Sequence, residues 1–320
     1  MIVKWNEVSD LNGAAMNLGA IGNLVHRLKL VRKLPPRLVC AKIAKRLPWS
    51  DRRAVRVAEI INSPKDLKPD RLFGFFRTQE ALLQERIAWQ PIDFNGRKVI
   101  EIGPGPLAGC GPMAIFRGAA QVYGVDPDWI EGAFDDPSVE EAYLRPHHAA
   151  LAEAFGPLMD YATFRTRLLD RLKVEAVGLE QAAPGFMADI IMSNSCLEHI
   201  EDLDASLRAL ATLSAPDARF MHLVNFGNHR NRASPFETIY EMPPAEYRVK
   251  FGGHINLLRA TDVFDSFAGA GIDAKIIVVD LPVDKVGMVR LHTYWKEHYE
   301  MDDLAVRTAL FVGLGPELGT

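Results

Sequence analysis

The sequence predicts an α/β protein with a doubly wound sheet, and three observations lead to that prediction. Residues 98–128 read in order as an apolar strand, a glycine loop, an apolar-periodic helix and a second strand that ends in an acid. This is the first half of a mononucleotide-binding βαβ unit. Two further buried-strand runs, 188–193 and 220–225, are separated by a helical segment at 203–213. Hydrophobic residues make up 48% and charged residues 24% of the 320 residues, which is ordinary for a soluble globular protein.

Composition also argues against several classes of protein. The net charge of −4 does not fit a general nucleic-acid binder. No apolar run approaches the roughly 20 residues that a membrane-spanning helix needs, and the first ten residues lack the layout of a signal peptide. Cys40, Cys110 and Cys196 form no CxxC pair. We therefore expect neither a disulfide framework nor a zinc site, and we expect a cytoplasmic protein.

Residues 1–90 are predicted to be a helical, basic segment that precedes a core domain at 91–320. From Arg27 to Arg56 the chain carries eleven basic residues and a single acid, Asp51. One interpretation is a basic amphipathic helix that rests on an anionic membrane or an anionic substrate carrier. The other is a solvated basic face whose apolar side packs on the core domain, as the apolar stripe of any surface helix does.

The remaining elements follow from apolar patterning. The connection at about 128–172 is rich in Ala, Glu, Leu and Phe at helical spacing, and its length predicts a helical insertion. Residues of about 226–259 show little periodicity, and a loop this long in a compact domain is usually functional, so we interpret it as a substrate loop. Helices are predicted at about 79–89, 107–119, 203–213 and 260–270. Strands are predicted at 99–102, 122–125, 173–177, 188–193, 220–225, 275–280 and 308–312.

The glycine loop after the first strand predicts a nucleotide-type ligand. Gly103 and Gly105 allow a tight turn and let a ligand approach without a Cβ in the way. Backbone amides at the start of the following helix favour an anionic or electron-rich group. Asp126, at the tip of the second strand, is placed to accept hydrogen bonds from a ribose diol. The pattern G-x-G-x-x-A at 103–108 meets the dinucleotide fingerprint as written, so NAD and S-adenosylmethionine (SAM) both remain open at this point.

Three features favour SAM. Glu101 lies two residues before the loop, where an acid is awkward beside a pyrophosphate but useful beside a sulfonium or an ammonium group. The segment 189–200, DIIMSNSCLEHI, follows after a further βα unit. The last two predicted strands, 275–280 and 308–312, are joined by a stretch that is not clearly a parallel crossover.

These segments resemble the class I SAM-dependent methyltransferases of the broad type 11 group. The likeness is carried by VIEIGPG at 99–105, by Val125-Asp126 and by DIIMSNSCLEH at 189–199, and it covers roughly 95–315. It implies a Rossmann-like sheet of seven strands with the last strand antiparallel, and SAM as the cofactor. It also implies that the first motif cradles the methionine part of SAM, that the acid after the second strand binds the ribose, and that the third motif lines the cofactor near its methyl group. The residues implied in these cofactor-binding roles are Glu101, Gly103, Gly105, Asp126, Ser193, Asn194 and Ser195.

Methyl transfer is an in-line displacement from a sulfonium, so a protein mainly aligns the two reactants. A base is needed when the acceptor is a hydroxyl or a protonated amine. His229 and His254 lie in the predicted substrate loop, and each is either a general base or substrate ligand, or a histidine that packs the loop. His292 and His298 are six residues apart and do not share a helix face, so no metal site is predicted there.

The acceptor is predicted to be small or carrier-linked, most plausibly a sugar or glycoconjugate oxygen. The stretch INLLRATD at 255–262 is similar to the N-x-L-R start of the last crossover helix in methyltransferases of polysaccharide and glycoconjugate genes. Two alternatives remain at this stage. One is an NAD(P)-dependent oxidoreductase, and the other is a SAM-fold binding protein without catalysis. No nucleic-acid partner is expected, and the basic N-terminal segment leaves peripheral membrane contact open.

Overall fold

In the computed structural model, the described residues are 36–44, 51–65, 67–127, 129, 131–229 and 233–315. They fall into two compact units. The described residues up to Pro69 together with those of 131–150 form one unit, and the described residues of 70–129 and 151–315 form the other. The predicted division at residues 90 and 91 stays a prediction. None of the helices in the described part of the chain is long and apolar enough to cross a membrane.

The larger unit contains a seven-stranded mixed sheet, as the sequence predicts. In the described chain the strand order is β3-β2-β1-β4-β5-β7-β6, where the strands are β1 (Lys98–Ile102), β2 (Gln121–Val125), β3 (Leu172–Glu175), β4 (Ala188–Asn194), β5 (Ser214–Asn225), β6 (Asp273–Asp280) and β7 (Thr308–Leu314). The pairs β1–β2, β1–β4, β2–β3 and β4–β5 are parallel. The last strand, β7, is antiparallel to both β5 and β6. The predicted fold class is confirmed.

The helices begin and end at residues with clear local signals. Asp51, Asp160 and Asp202 each accept hydrogen bonds from backbone amides of the helix that follows, which satisfies donors that a helix start leaves unpaired. The helices in the described chain are α1 (Pro36–Ala44), α2 (Arg52–Ile61), α3 (Arg71–Ile87), α4 (Gly111–Phe116), α5 (Arg145–Phe155), α6 (Tyr161–Arg171), α7 (Leu203–Leu213), α8 (Pro244–Phe251), α9 (Ala260–Gly269), α10 (Val283–Gly287), α11 (Thr293–His298) and α12 (Met301–Ala305). Single helical turns lie at Gly105–Leu107, Ala133–Asp135, Pro137–Val139, Leu179–Gln181 and Leu197–His199, with a π-helical turn at Glu140–Leu144.

One face of the sheet packs against α7 and α9. Leu207 and Leu210 of α7 and Phe267 of α9 are fully buried in one cluster with Ile100 and Phe220 of the strands. Leu203, Leu207 and Leu210 in α7, and Val263 and Phe267 in α9, are three or four residues apart, which gives each helix one apolar face. Burial of this kind is worth roughly 1.5–3 kcal/mol per large side chain relative to an exposed one. The cluster therefore fixes the strands whose carboxyl ends carry the site.

The predicted substrate loop at 226–259 is more ordered than its sequence pattern indicates, because α8 lies within it. Pro243 and Pro244 set the helix start, where a missing amide costs nothing, and Gly252 follows its end at φ +83°. Tyr240 and Tyr247 are buried in a second apolar cluster around Trp295. This region thus has a core of its own, which the lack of periodicity concealed.

The predicted helix at 107–119 is shorter than expected. A single turn at Gly105–Leu107 is followed by a break, because Ala108 and Gly109 both have positive φ, +56° in each case. The regular helix, α4, begins only at Gly111. The predicted helix at 79–89 begins eight residues earlier, at Arg71, and ends at Ile87. The described residues of the insertion at about 128–172 are mostly helical.

Part of the basic N-terminal segment lies outside the described residues, namely Arg27, Lys29, Arg32, Lys33, Lys45 and Arg46. The described α1 contains Arg37, which is exposed, and the backbone of Lys42. Contact of this segment with a membrane or a carrier stays a prediction.

Candidate active site

The candidate site lies at the carboxyl ends of β1 and β4. From β1 the chain proceeds to β2 and β3 on one side, whereas β4 and β5 extend the sheet on the other side. A parallel sheet opens a crevice at such a reversal of strand order. The loops after the two strands meet there. Gly103 has φ +65°, and a Cβ on it would lie 2.5 Å from the Cys196 Sγ, so only glycine fits at that position.

Glu101 anchors the glycine loop from below. Its two carboxylate oxygens each lie 2.9 Å from the Cys110 amide nitrogen, which donates to them just before α4 begins. A Cβ on Gly109 would lie 2.0 Å from Glu101 Oε1, so the bend at Gly109 exists to admit this carboxylate. Glu101 is 4% exposed. Burial raises its pKa to about 8, and the amides of Cys110 and Gly111 partly offset this effect. A nearby ligand cation would favour the charged form, and that role for Glu101 stays a prediction.

Asp126 joins the glycine loop to the tip of β2. Its Oδ2 accepts a hydrogen bond from the Gly105 amide at 2.8 Å, and its own amide donates to the Glu175 carbonyl. The residue lies immediately after β2, as predicted, and its role as the ribose ligand stays a prediction. Gly105 has φ +70° with open space where a Cβ would point, which leaves its backbone accessible to a ligand.

Ser193 and Asn194 end β4 and line one wall of a cavity, and Ser195 follows the strand. The Ser193 hydroxyl is 2.8 Å from Nδ1 of buried His222, whose pKa falls to about 3 through burial. Ser195 has φ +55° and donates its amide to the Leu223 carbonyl. Asn194 Oδ1 is buried and has no hydrogen-bond partner among the described residues. The cavity is also lined by Glu101, Cys110, Met192, Met221 and, from α3, Leu72, Phe75, Phe76 and Gln79.

An unpaired buried acceptor, an open glycine and a buried carboxylate fit a ligand that brings both hydrogen-bond donors and positive charge. SAM, with its ammonium and sulfonium groups, is such a ligand. A family model described as a methyltransferase domain matches residues 73–274. The chain belongs to this methyltransferase family. It is a class I SAM-dependent methyltransferase, with SAM as cofactor, which decides between the two cofactors that the glycine pattern left open.

Solved methyltransferase structures are similar at low identity. A SAM-dependent methyltransferase from Mesorhizobium loti is 16% identical, with 73% of this chain and 95% of that chain covered and a TM-score of 0.40. Phosphoethanolamine N-methyltransferase 2 from Haemonchus contortus is 13% identical, with 84% and 62% covered and a TM-score of 0.43. An O-methyltransferase family protein from Burkholderia thailandensis is 14% identical, with 96% and 75% covered and a TM-score of 0.42. No curated protein matches the chain.

Beyond the predicted cofactor-binding residues, this methyltransferase brings together three side chains from two strand ends. Glu198 and His199 lie in the turn after β4, and His229 follows β5. His229 Nε2 is 3.7 Å from Glu198 Oε1, and the His199 and His229 rings meet edge to face at a centroid distance of 4.9 Å. One ligand-type atom from each residue lies within 4.8 Å of the others. Glu198 is 3% exposed, and burial raises its pKa to about 8.

The turn that carries Glu198 and His199 is held by the segment 254–256. The Asn256 side chain donates to the carbonyls of Leu197 and Ile200 at 2.9 and 3.0 Å. The Asn256 amide donates to the Glu198 carbonyl at 2.8 Å. His199 Nδ1 is 2.5 Å from the His254 carbonyl. Both ends of the short turn are therefore fixed by a segment more than 50 residues further along the chain.

The two predicted catalytic histidines occupy different places. His229 lies in the cluster with Glu198 and His199, whereas the His254 ring lies against Tyr247, with Nε2 3.4 Å from the Tyr247 hydroxyl. Their catalytic roles stay predictions. Sequence reasoning placed His199 only in the cofactor motif and gave Glu198 no role. The signal that would have found the cluster is that polar residues follow the carboxyl ends of two adjacent parallel strands, which meet at one edge of a sheet.

Proposed function

We propose that this methyltransferase transfers the methyl group to a hydroxyl oxygen of a small or carrier-linked acceptor. The observation that carries the proposal is the cluster of Glu198, His199 and His229, two of which lie in the turn just after β4. A neutral amine attacks a methyl sulfonium without assistance, whereas a hydroxyl has to lose its proton. Two imidazoles and a buried carboxylate are groups that promote such a loss, either as a base or by holding a cation.

Among hydroxyl acceptors, we favour a sugar of a glycoconjugate. Support comes from the N-x-L-R stretch that begins with Asn256, because this residue holds the turn of the cluster and Arg259 is buried behind it. The Arg259 guanidinium donates to the Phe226 carbonyl and to the Tyr240 hydroxyl. These contacts join the loop after β5 to the start of α9. These contacts support a role for the motif on the acceptor side of the site.

The test of the proposal is the identity of the methylated atom. The enzyme is incubated with SAM carrying a labelled methyl group and with extract of the native cell, and the labelled product is analysed by mass spectrometry and NMR. A methyl ether on a sugar hydroxyl is the expected product. A methyl group found on nitrogen, sulfur or carbon would overturn the hydroxyl proposal, and a methyl ether on a compound without a sugar would overturn the sugar class alone.

We also propose that the basic N-terminal segment contacts an anionic carrier or membrane surface, on the strength of its charge. Replacing Arg37, Lys42, Lys45 and Arg46 by glutamine should lower partition to vesicles that contain 30% anionic lipid. Attraction of about 1 kcal/mol per basic side chain near such a surface predicts a clear reduction at low salt. Unchanged partition and unchanged turnover would contradict the proposal, and neutral vesicles serve as the control.

A further inference from the structure

We infer that Glu198, His199 and His229 form a binding site for one divalent cation of the Zn²⁺ type, placed to bind the acceptor hydroxyl. The inference rests on the proposed function, because it assigns the loss of the hydroxyl proton to this ion. His229 is then a metal ligand and not the general base.

The three candidate ligand atoms are spaced nearly as a metal site requires. In a tetrahedral site with metal–ligand distances of about 2.1 Å, neighbouring ligand atoms lie about 3.4 Å apart. The Glu198 Oε1 to His229 Nε2 distance of 3.7 Å is already close to this value. The three candidate ligand atoms all lie within 4.8 Å of one another, so shifts of about 1 Å would close the site around an ion.

In the described chain, the Glu198 carboxylate is buried without a hydrogen-bond partner that would satisfy it. The residue is 3% exposed, and neither oxygen has a hydrogen-bond partner of good geometry among the described residues. The backbone amides of Glu198 itself and of Asn225 lie near the carboxylate. A buried carboxylate without hydrogen bonds is costly, and such groups in proteins are usually paired or bound to a metal. An ion between Glu198 and His229 would supply the missing partner.

The orientation of the His199 ring leaves one nitrogen available to bind a metal. Its Nδ1 lies 2.5 Å from the His254 carbonyl oxygen, and since a carbonyl only accepts, Nδ1 carries the proton. The Nε2 atom of the neutral ring then has its lone pair available for the cluster. A histidine that binds a metal commonly donates its other ring N–H to a carbonyl or carboxylate in this way. The contacts of Asn256 with the carbonyls of Leu197 and Ile200 hold the turn in place.

The ligand set determines the kind of ion. Two imidazoles with one carboxylate suit Zn²⁺ and similar transition metals, whereas Mg²⁺ and Ca²⁺ prefer oxygen ligands only. Three protein ligands leave a fourth position open, as in catalytic zinc sites. A hydroxyl in that position would have a lowered pKa and lose its proton to solvent. Its oxygen then bonds to the methyl carbon, while the methyl–sulfur bond breaks and its electron pair stays on sulfur.

Metal binding by the full chain is the direct test. Metal-stripped protein is titrated with Zn²⁺ by calorimetry, and with Co²⁺ while the visible absorption of a four-coordinate site is followed. We expect one ion per chain, and binding at least tenfold weaker for His229→Ala and for Glu198→Gln. His298→Ala removes an exposed imidazole of α11 and should bind as the wild type does. Mg²⁺ should not compete.

The folding of His229→Ala and of Glu198→Gln is checked by circular dichroism. If one variant fails to fold, metal binding by the other still tests the inference. Absence of one-to-one binding by the wild type, or an equal loss in His298→Ala, would overturn the inference. A methyl ether product formed without bound metal would also overturn it and leave the hydroxyl proposal intact. Stoichiometric Zn²⁺ binding together with an N-methyl product would support the ion site and overturn the proposed acceptor.

Discussion

Two neighbouring regions of the site are held together in different ways. In the predicted cofactor edge, residues 101–126 with 193–195, carboxylates accept hydrogen bonds from amides that are 9 and 21 residues away in the chain. The proposed acceptor edge, residues 197–199, 229 and 254–256, joins segments that are 55 to 59 residues apart. Local contacts cost little chain entropy to form, whereas distant ones depend on the whole sheet being in place.

The two edges also differ in their buried carboxylates. Glu101 and Glu198 are almost equally buried and have raised pKa values for the same reason. Glu101 accepts hydrogen bonds from the Cys110 amide on both oxygens, whereas neither Glu198 oxygen has a hydrogen-bond partner of good geometry among the described residues. A buried carboxylate that accepts hydrogen bonds from backbone amides stabilises a loop, as Glu101 does. A buried carboxylate without such bonds, as in Glu198, is available to bind a ligand.

The largest effect is expected at Gly109. Gly109→Ala would place a Cβ 2.0 Å from Glu101 Oε1 at φ +56°, so we expect a loss of unfolding free energy of more than about 3 kcal/mol and loss of SAM binding. Gly96→Ala is the matched control, because φ is +71° there with nothing within 4 Å of the Cβ; it should cost about 1 kcal/mol. Urea unfolding measures both. Equal losses would mean that Glu101 does not shape the loop.

Glu101 should also make stability depend on pH. Its folded pKa of about 8 is above the value of 4.5 for a free carboxyl, so its contribution is fully present below about pH 4.5 and is lost as pH rises through 8. Glu101→Gln should therefore reduce the fall in unfolding free energy between pH 5 and pH 8 by about 3 kcal/mol. Glu85→Gln, which replaces an exposed carboxylate of α3, should keep the wild-type profile. An unchanged slope in Glu101→Gln would contradict the assignment.

Substitutions at two asparagines, one in each edge, should have different effects. Asn256→Ala removes two hydrogen bonds to the turn at Leu197–His199 and should cost about 1–2 kcal/mol of stability and lower kcat, with the Kd for SAM unchanged. Asn194→Ala removes a buried oxygen that has no partner among the described residues. It should leave stability within about 0.5 kcal/mol of the wild type and weaken SAM binding. Thermal unfolding and SAM titration together decide, and the reverse pattern would show that the edges are not separate.

The same contrast explains what could be predicted from sequence. The strands, the last antiparallel strand and the glycine loop were predictable because their signals are contiguous, as in 98–126. The break in the helix at Ala108 and Gly109 could not be predicted, because it depends on the position of the Glu101 carboxylate in the folded protein. The cluster of Glu198, His199 and His229 could not be predicted either. His229 lies 30 residues beyond His199 in the chain, and the two meet through the pairing of β4 with β5. The roles of the individual site residues stay predictions.

The smallest effect is expected at His254, which contributes to the acceptor edge through its backbone. Its carbonyl accepts the His199 ring N–H, and this group is kept in His254→Ala. The variant should therefore retain kcat within about threefold, a change of less than about 1 kcal/mol in barrier. His229→Ala should lower kcat by at least about a hundredfold, the lower limit for losing a group that assists proton transfer. Steady-state kinetics on the identified acceptor measure both, and a large loss in His254→Ala with a small one in His229→Ala would make the His254 imidazole the group that acts on the acceptor.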